Sequence, residues 1–293
     1  MEIKEVMVVG AGIMGSGIAQ TLAQYGYPAI LWGISEAELR LSLDNIDGSL
    51  ERFARKGRLT SSKERILGRI RTTVNIAEGR EADFVIETVV EDLKIKEEIF
   101  QTLDQTVKAG AILASNTSSI PITRLARVTR RPEKVVGLHF SNPVPLMPVA
   151  EVIRTIATSA ETFDASVALA ESLHKEVIRV NFDLAGFVLN RVNLPGNVEA
   201  ILLVERGMAS IEDIDKAMRL GFGRPMGPFE TMDLVGLDTG YKVLLSLYEE
   251  TKDTKFLPPD LLRRKVWLGE IGRKVGRGWY VYGPQGEKIG PAG

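Results

Sequence analysis

His139 and His174 are the only side chains here with an ordinary pKa near neutrality, because the chain has two histidines and no cysteine. His139 closes the apolar run Val135-Val136-Gly137-Leu138 and precedes Phe140-Ser141-Asn142-Pro143. A histidine where a buried strand stops stands where open α/β sheets bind ligands. There it could take the proton of a hydroxyl as a general base. Glu151 follows twelve residues later, beyond a loop containing Pro143, Pro145 and Pro148. If that loop folds back, the carboxylate would fix the imidazole tautomer and stabilise the imidazolium. The plainer alternative for Glu151 is a solvated charge at a strand edge. His174 follows the amphipathic pattern of Phe163, Val167 and Ala170 and adjoins Lys175 and Glu176. It reads as a surface residue.

A second constellation lies at the N-terminal end. The apolar run Val6-Met7-Val8-Val9 leads into Gly10-Ala11-Gly12-Ile13-Met14-Gly15, a G-x-G-x-x-G. Ile18, Leu22 and Tyr25 then recur at helical spacing, and Ala29-Ile30-Leu31-Trp32 is the next strand. Strand, glycine turn, helix and strand form the context that gives this fingerprint its meaning, dinucleotide binding. Gly10 permits the tight turn, Gly12 lets backbone approach a pyrophosphate, and Gly15 lets helix pack on strand. The helix N-terminus adds free N–H groups and a positive partial charge. After the second strand an acidic residue usually takes the ribose 2′-hydroxyl. Gly33 stands there instead. Three outcomes are open: weaker NAD binding, substitution by Glu36, or tolerance of a 2′-phosphate and so of NADP. The nearest downstream base is Arg40. The expected cofactor is NAD, with NADP kept open.

These residues need elements to position them. Ser35-Glu36-Ala37-Glu38 is a capping box opening a helix whose buried stripe is Leu39, Leu43, Ile46, Leu50 and Phe53. Its other face carries Arg40, Ser49, Arg52, Arg55 and Lys56, either a solvated face or a patch for a phosphorylated ligand. A further helix starts at Ser61-Ser62 with Ile66, Leu67 and Ile70 inward. Strands are expected at Thr73–Ile76, Phe84–Thr88, Ala111–Ala114 and Val135–Leu138, with a helix between that buries Ile95, Ile99 and Leu103. The alternation predicts a Rossmann-type, doubly wound parallel α/β sheet. Glu91, Ser118 and His139 fall at or just past its strand ends, on the ligand side. After Gly186 the alternation gives way to helical patterns: Val192, Val198, Ile201, Leu202 and Leu203; Ile214, Ala217 and Met218; Val243, Leu244 and Leu247. We therefore expect residues 1–185 to form the dinucleotide-binding domain and residues 186–293 a smaller all-α domain. The tail Gly283–Gly293 is expected to be loosely ordered.

Composition narrows the field. The 293 residues carry 37 Lys plus Arg against 38 Asp plus Glu, a net charge of −1 that disfavours a nucleic-acid face. Lacking cysteine, the chain has no disulfide, thiolate metal site or cysteine nucleophile, and two histidines disfavour a multi-histidine metal centre. Val6–Ser35 holds no charge, but glycines, Pro28, Gln20 and Gln24 interrupt it, so it is not read as a membrane span. The residues before it are acidic on balance, unlike a signal peptide. A cytoplasmic location is expected.

Ordered blocks along the chain resemble the L-3-hydroxyacyl-CoA dehydrogenases. They are Gly10–Ala19, Glu87–Lys96, Ser115-Asn116-Thr117-Ser118-Ser119-Ile120, Gly137–Pro145, Gly186–Arg191, Gly223–Glu230 and Gly272–Tyr280. The resemblance implies reversible oxidation of an (S)-3-hydroxyacyl-CoA, with a short acyl chain such as 3-hydroxybutyryl, to the 3-ketoacyl-CoA. It implies His139 as base, Glu151 as its orienting partner, and Ser118 and Asn190 as hydrogen-bonding partners of the substrate oxygens. Glu91, Lys96, Ser118, Asn142 and Lys274 match positions meeting the nicotinamide half of the cofactor. Ser49 and Lys56 match positions meeting the CoA moiety. The helical domain would close the substrate cleft and build a homodimer. Departures are Gly33 for the acid, Ser141 for an aromatic residue, Ala185 for proline and Met147-Pro148 for Met-Lys. Two other readings stay open: a hydroxy-acid dehydrogenase without a CoA substrate, which Ser49 and Lys56 oppose, and a non-catalytic nucleotide-binding protein, which the intact polar set opposes.

Overall fold

The computed structural model describes residues 2–292. The chain divides into two compact units, Met1–Phe187 and Val188–Gly293.

In the first unit β1 (Val6–Val9), α1 (Ile13–Gln24), β2 (Ala29–Trp32), α2 (Glu36–Arg55), α3 (Lys63–Leu67) and β3 (Ile70–Thr73) come first. Then follow β4 (Phe84–Glu87), α4 (Leu93–Thr106), β5 (Ile112–Ser115), α5 (Ile122–Ala126), β6 (Val135–Phe140), β7 (Val149–Ile153), α6 (Ala160–Ser172) and β8 (Glu176–Val180). One eight-stranded sheet results, in the order β3-β2-β1-β4-β5-β6-β7-β8. Its pairings are parallel except β6 with β7. This is the Rossmann-type fold expected, and its central strands are continuous apolar runs because helices cover both faces.

Side-chain alternation sorts β1 between two cores. Val6 and Val8 join Ile18, Leu22, Leu31, Leu39 and Leu50 on one face. Met7 and Val9 join Ile30, Phe100, Leu103 and Leu125 on the other. Beside the second core, buried Asp104 of α4 accepts from Arg130 N (3.1 Å), Arg130 Nε (2.9 Å) and Arg131 Nε (2.8 Å), pinning the turn before β6.

Several local expectations are corrected. The strand placed at Thr73–Ile76 lies at Ile70–Thr73, so Ile70 is a strand residue and not part of the helix before it. Gly68 caps α3, Ile70–Thr73 pairs residue for residue with Ala29–Trp32, and the Asn75 side chain caps a 3₁₀ turn at Ile76–Gly79. The α4 stripe runs through Lys96, Phe100 and Leu103, while Ile95 is exposed. Burial of Lys96 is possible because carboxylates meet its ammonium. His139 lies within β6, not beyond it. His174 follows α6 in a left-handed conformation (φ 56°) and stacks on Tyr25 with ring centroids 4.6 Å apart.

The second unit contains α7 (Leu189–Glu205), α8 (Ile211–Phe222), α9 (Pro228–Val235), α10 (Leu237–Thr251) and α11 (Asp260–Trp267), then β9 (Tyr280–Tyr282) and β10 (Lys288–Pro291). Val192 and Ala217, expected inside, are exposed. The tail is ordered over its described residues, Gly293 lying outside them: β10 pairs antiparallel with β9, and Ala292 N donates to the Trp279 carbonyl. Two buried carboxylates anchor this end. Asp233 accepts from Trp279 N, Tyr280 N and Tyr282 Oη, and Asp215 from Phe229 N, Glu230 N and Tyr280 Oη. Glycine content suggested looseness, but backbone pairing and these acceptors outweigh it.

Candidate active site

The glycine turn after β1 has the geometry its sequence demands. Gly10 sits at φ 113°, and a Cβ there would meet Thr88 Oγ1 at 2.8 Å. A Cβ on Gly15 would collide with the Gly10 carbonyl oxygen. A Cβ on Gly12 would meet nothing within 4 Å. The first two glycines are therefore required by packing, whereas Gly12 leaves open room where a phosphate can approach backbone. Thr88 Oγ1 steadies the turn by donating to the Gly10 carbonyl at 3.0 Å. No side chain caps α1, so its first N–H groups face outward, beside exposed Ile13 and half-buried Met14. These residues fit a dinucleotide pyrophosphate.

Gly33 directly follows β2, with its N–H donating to the Thr73 carbonyl at 3.2 Å. The carboxylate that comes to it is Glu38, not Glu36. Glu38 Oε2 accepts the Ile34 N–H at 2.9 Å, and its own N–H donates to Ser35 Oγ at 3.2 Å. Glu36 is exposed. The capping box already held this signal, since its third helical residue is the one that reaches back.

At the ends of β4 and β5 a polar cluster replaces the apolar core. Lys96 Nζ lies 2.6 Å from Glu87 Oε1, 3.2 Å from the Val89 carbonyl and 3.4 Å from Glu91 Oε2. Glu87 also accepts Ser115 Oγ and Val89 N, each at 2.7 Å. Burial pushes the Glu87 carboxyl up, against the pull of Lys96 and these donors. Burial also opposes ionisation of Glu91, but Lys96 and the hydroxyl and amide donors outweigh it and hold its carboxyl below the ordinary value. Glu91 Oε1 accepts Ser118 N and Ser119 N, both at 3.1 Å, and the hydroxyls of Thr117 and Ser119. The loop is thereby fixed with Ser118 half-buried, its hydroxyl unpartnered among the described residues.

His139 and Glu151 are directly opposed in the antiparallel β6–β7 register. His139 Nδ1 lies 2.7 Å from Glu151 Oε2. Glu151 is buried and the His139 side chain is 12% exposed, so the carboxylate is not the solvated charge of the plainer reading. With Nδ1–H donating to the carboxylate, Nε2 carries the lone pair. Asn116 Oδ1 accepts the Phe140 N–H at 2.9 Å and holds the strand end. The loop behind folds back on Lys175, whose Nζ donates to the Val144 and Met147 carbonyls at 2.6 and 2.8 Å. Burial pushes the Lys175 amine down. Phe187 adopts a left-handed φ of 46°, uncommon for a bulky residue, and its ring lies 5.7 Å from the imidazole. Asn142 is exposed on the loop.

Ser49, Arg52, Phe53 and Lys56 of α2 and its C-cap line a cavity of about 320 Å³ with Arg58, Pro143, Pro145 and Leu146. Three cations and a hydroxyl thus face one hollow, bordered by the loop that follows His139.

The remaining expected residues lie in the second unit. Asn190, on the first turn of α7, lines a cavity of about 150 Å³ with Asn193, Asn197 and Thr231. Lys274, in a 3₁₀ turn at Arg273–Val275, is paired with Asp238 at 2.7 and 2.8 Å to its two oxygens.

Residues 5–183 match the family model of the 3-hydroxyacyl-CoA dehydrogenase NAD-binding domain, and residues 186–282 match that of the 3-hydroxyacyl-CoA dehydrogenase C-terminal domain. The chain belongs to the 3-hydroxyacyl-CoA dehydrogenase family. A probable 3-hydroxybutyryl-CoA dehydrogenase of Bacillus subtilis is 45% identical over 96% of this chain and 98% of its own length. The crystal structure of Mycobacterium tuberculosis FadB2 superposes with a TM-score of 0.92 at 42% identity, covering 97% of this chain and all of that one. The (S)-3-hydroxybutyryl-CoA dehydrogenase of Ralstonia eutropha gives a TM-score of 0.90 at 41% identity, covering 96% and 100%.

As a 3-hydroxyacyl-CoA dehydrogenase, the chain is an NAD-dependent oxidoreductase, with the glycine turn in its NAD-binding domain. Sequence reading missed Glu38, Glu87, Asn116, Thr117 and Lys175. Asn116 and Thr117 stand inside the polar run Ser115-Asn116-Thr117-Ser118-Ser119. Glu87 opened a block resembling the family and Lys175 drew no reading, because a single charge in sequence does not reveal that it is buried against a partner.

Proposed function

We propose that this protein interconverts a short-chain (S)-3-hydroxyacyl-CoA, in the size range of 3-hydroxybutyryl-CoA, and its 3-ketoacyl-CoA, with NAD preferred over NADP. The observation that carries the reading is the 2.7 Å contact between His139 Nδ1 and Glu151. His139 Nε2 takes the C3-hydroxyl proton, and Glu151 stabilises the imidazolium that forms. Bound NAD supplies the acceptor for the hydride leaving C3. Ser118 Oγ hydrogen-bonds the substrate oxygen, and Asn190 is assigned the same duty by resemblance to the family. In the reverse direction the imidazolium returns the proton to the developing alkoxide.

The glycine turn, with Gly10, Gly12, Ile13, Met14 and Gly15, receives the pyrophosphate. Gly33 faces the adenosine ribose. Glu91, Asn142 and Lys274 serve the nicotinamide half, and Lys96 serves it through Glu91 and not by direct contact. Ser49 and Lys56 take the CoA phosphates, supported by the basic hollow they share with Arg52 and Arg58. The second unit forms a homodimer, a reading supported by exposed Val192, Leu220, Phe222 and Trp267. We place the protein in the cytoplasm. No helix of the described residues is long and apolar enough to cross a membrane.

The test is acetoacetyl-CoA reduction by the purified protein, with NADH and NADPH compared at equal concentration. Oxidation of NADH is the expected result. Silence with acetoacetyl-CoA and with longer and branched 3-ketoacyl-CoA substrates overturns the reading.

A further inference from the structure

Gly33 removes the acid that ordinarily meets the adenosine ribose at the end of the second strand. The surrounding atoms show that the position is constrained as well as uncharged. A Cβ built on Gly33 would lie 3.0 Å from Glu38 Oε2 and 3.0 Å from both Cγ and Cδ2 of Leu39. A carboxylate from the following helix therefore already stands beside the strand end. Leu39 is buried in the core and cannot move aside cheaply. Glycine at position 33 and glutamate at position 38 are thus mutually dependent. The strand position gives up its side chain, and the first turn of α2 brings a carboxylate to its border.

Glu38 is held where it stands. Oε2 accepts the Ile34 N–H at 2.9 Å, and the Glu38 amide donates to Ser35 Oγ at 3.2 Å. Oε1 has no partner among the described residues. The side chain is half-buried, whereas neighbouring Glu36 and Arg40 are exposed. A fixed carboxylate with one oxygen unspent suits a ribose diol, which donates hydrogen bonds. It repels a 2′-phosphate, which offers only negative charge.

We propose that Glu38 takes over ribose recognition from the strand-end acid and makes the protein selective for NAD(H) over NADP(H). The inference rests on the NAD-dependent reading above and adds the residue that sets its cofactor choice.

The test is binding, not turnover. NADH and NADPH are titrated separately into the wild type, Glu38→Gln and Glu36→Gln, followed by calorimetry and by quenching of Trp32, which adjoins Gly33. Glu38→Gln keeps an acceptor for the Ile34 N–H and removes only the charge, so thermal denaturation should match wild type. A hydrogen bond to a charged group implies roughly tenfold weaker NADH binding, with a comparable gain for NADPH. A second variant pair tests the mutual dependence. Gly33→Asp alone should weaken NADH binding by crowding Glu38 and Leu39, and Gly33→Asp/Glu38→Ala, which relieves the contact with Glu38 and not that with Leu39, should recover part of the affinity together with the selectivity. The proposal is overturned if Glu38→Gln leaves both affinities unchanged, if Glu36→Gln moves them instead, or if the wild type prefers NADPH. A wild type that binds neither dinucleotide sinks this proposal and the dehydrogenase reading together.

Discussion

Lys96 and Glu87 form an ion pair, 2.6 Å apart, with both side chains essentially out of solvent. Desolvating two charges is costly, and the pair persists because Ser115 Oγ, Val89 N and the Val89 carbonyl satisfy its remaining valences. Lys96 also lies 3.4 Å from Glu91, so a single buried cation ties the end of β4 to the loop carrying Ser118.

Removing that cation alone should be severe. Lys96→Met leaves the Glu87 charge buried without its partner, a change of roughly 3–5 kcal/mol in stability. Urea denaturation should show the loss, and Lys96→Met/Glu87→Gln should recover much of it. Were Lys96 only a cofactor contact, the single variant would keep its stability and lose NADH affinity.

The dyad separates chemistry from binding. His139→Gln should lower kcat by about 10² to 10⁴, the usual range for losing a general base. Glu151→Gln keeps the shape but weakens stabilisation of the imidazolium, so it should cost less. Steady-state kinetics should show KM for the acyl-CoA nearly unchanged in both. Undiminished turnover in His139→Gln would refute the assignment.

The basic hollow predicts a different pattern. Lys56→Ala should raise KM for the acyl-CoA several-fold, leave the NADH affinity alone, and flatten the dependence of KM on salt. A substrate without CoA phosphates would show no such effect. Comparing acetoacetyl-CoA with a pantetheine thioester of the same acyl group would localise the contact.

Acid stability should depend on a carboxylate remote from the site. Burial opposes ionisation of Asp104, but hydrogen bonds from Arg130 and Arg131 outweigh it and hold its carboxyl below the ordinary carboxylate value. Its folded pKa is therefore lower than its unfolded one. The stabilisation is complete above the unfolded value and is lost as pH falls through the folded one. Melting temperature should drop below about pH 4 in the wild type. Asp104→Asn should be less stable at neutral pH, show a shallower acid limb, and keep its kcat.

The glycine fingerprint, the α/β order and His139 were legible because each is a local pattern. Gly10 and Gly15 are demanded by contacts within one turn, and the apolar strands follow one another in sequence. The pairing of His139 with Glu151 was legible only conditionally, since it depended on the Pro143–Pro148 loop folding back. Glu38 was passed over for Glu36 because a capping box fixes a side chain by geometry, not by nearness in sequence. Lys96 was marked only by resemblance to the family, and Lys175 drew no reading of its own, because lysine is usually a surface charge. Their burial depends on carbonyl and carboxylate oxygens supplied by distant segments. The tail misled for the same reason, its order coming from pairing with β9 and from Asp233.

The antiparallel pairing of β6 with β7 places His139 opposite Glu151 through main-chain hydrogen bonds. The spacing of the two groups is set by the ladder and not by the loop joining their strands. Residues Ser141 to Pro148 can therefore diverge without retuning proton transfer. The same loop supplies Pro143, Pro145 and Leu146 to the basic hollow. On the proposed reading of that hollow, changes in this loop would alter acyl-CoA binding without moving His139 from Glu151, and the Ser141 and Met147-Pro148 departures of this chain fall within it.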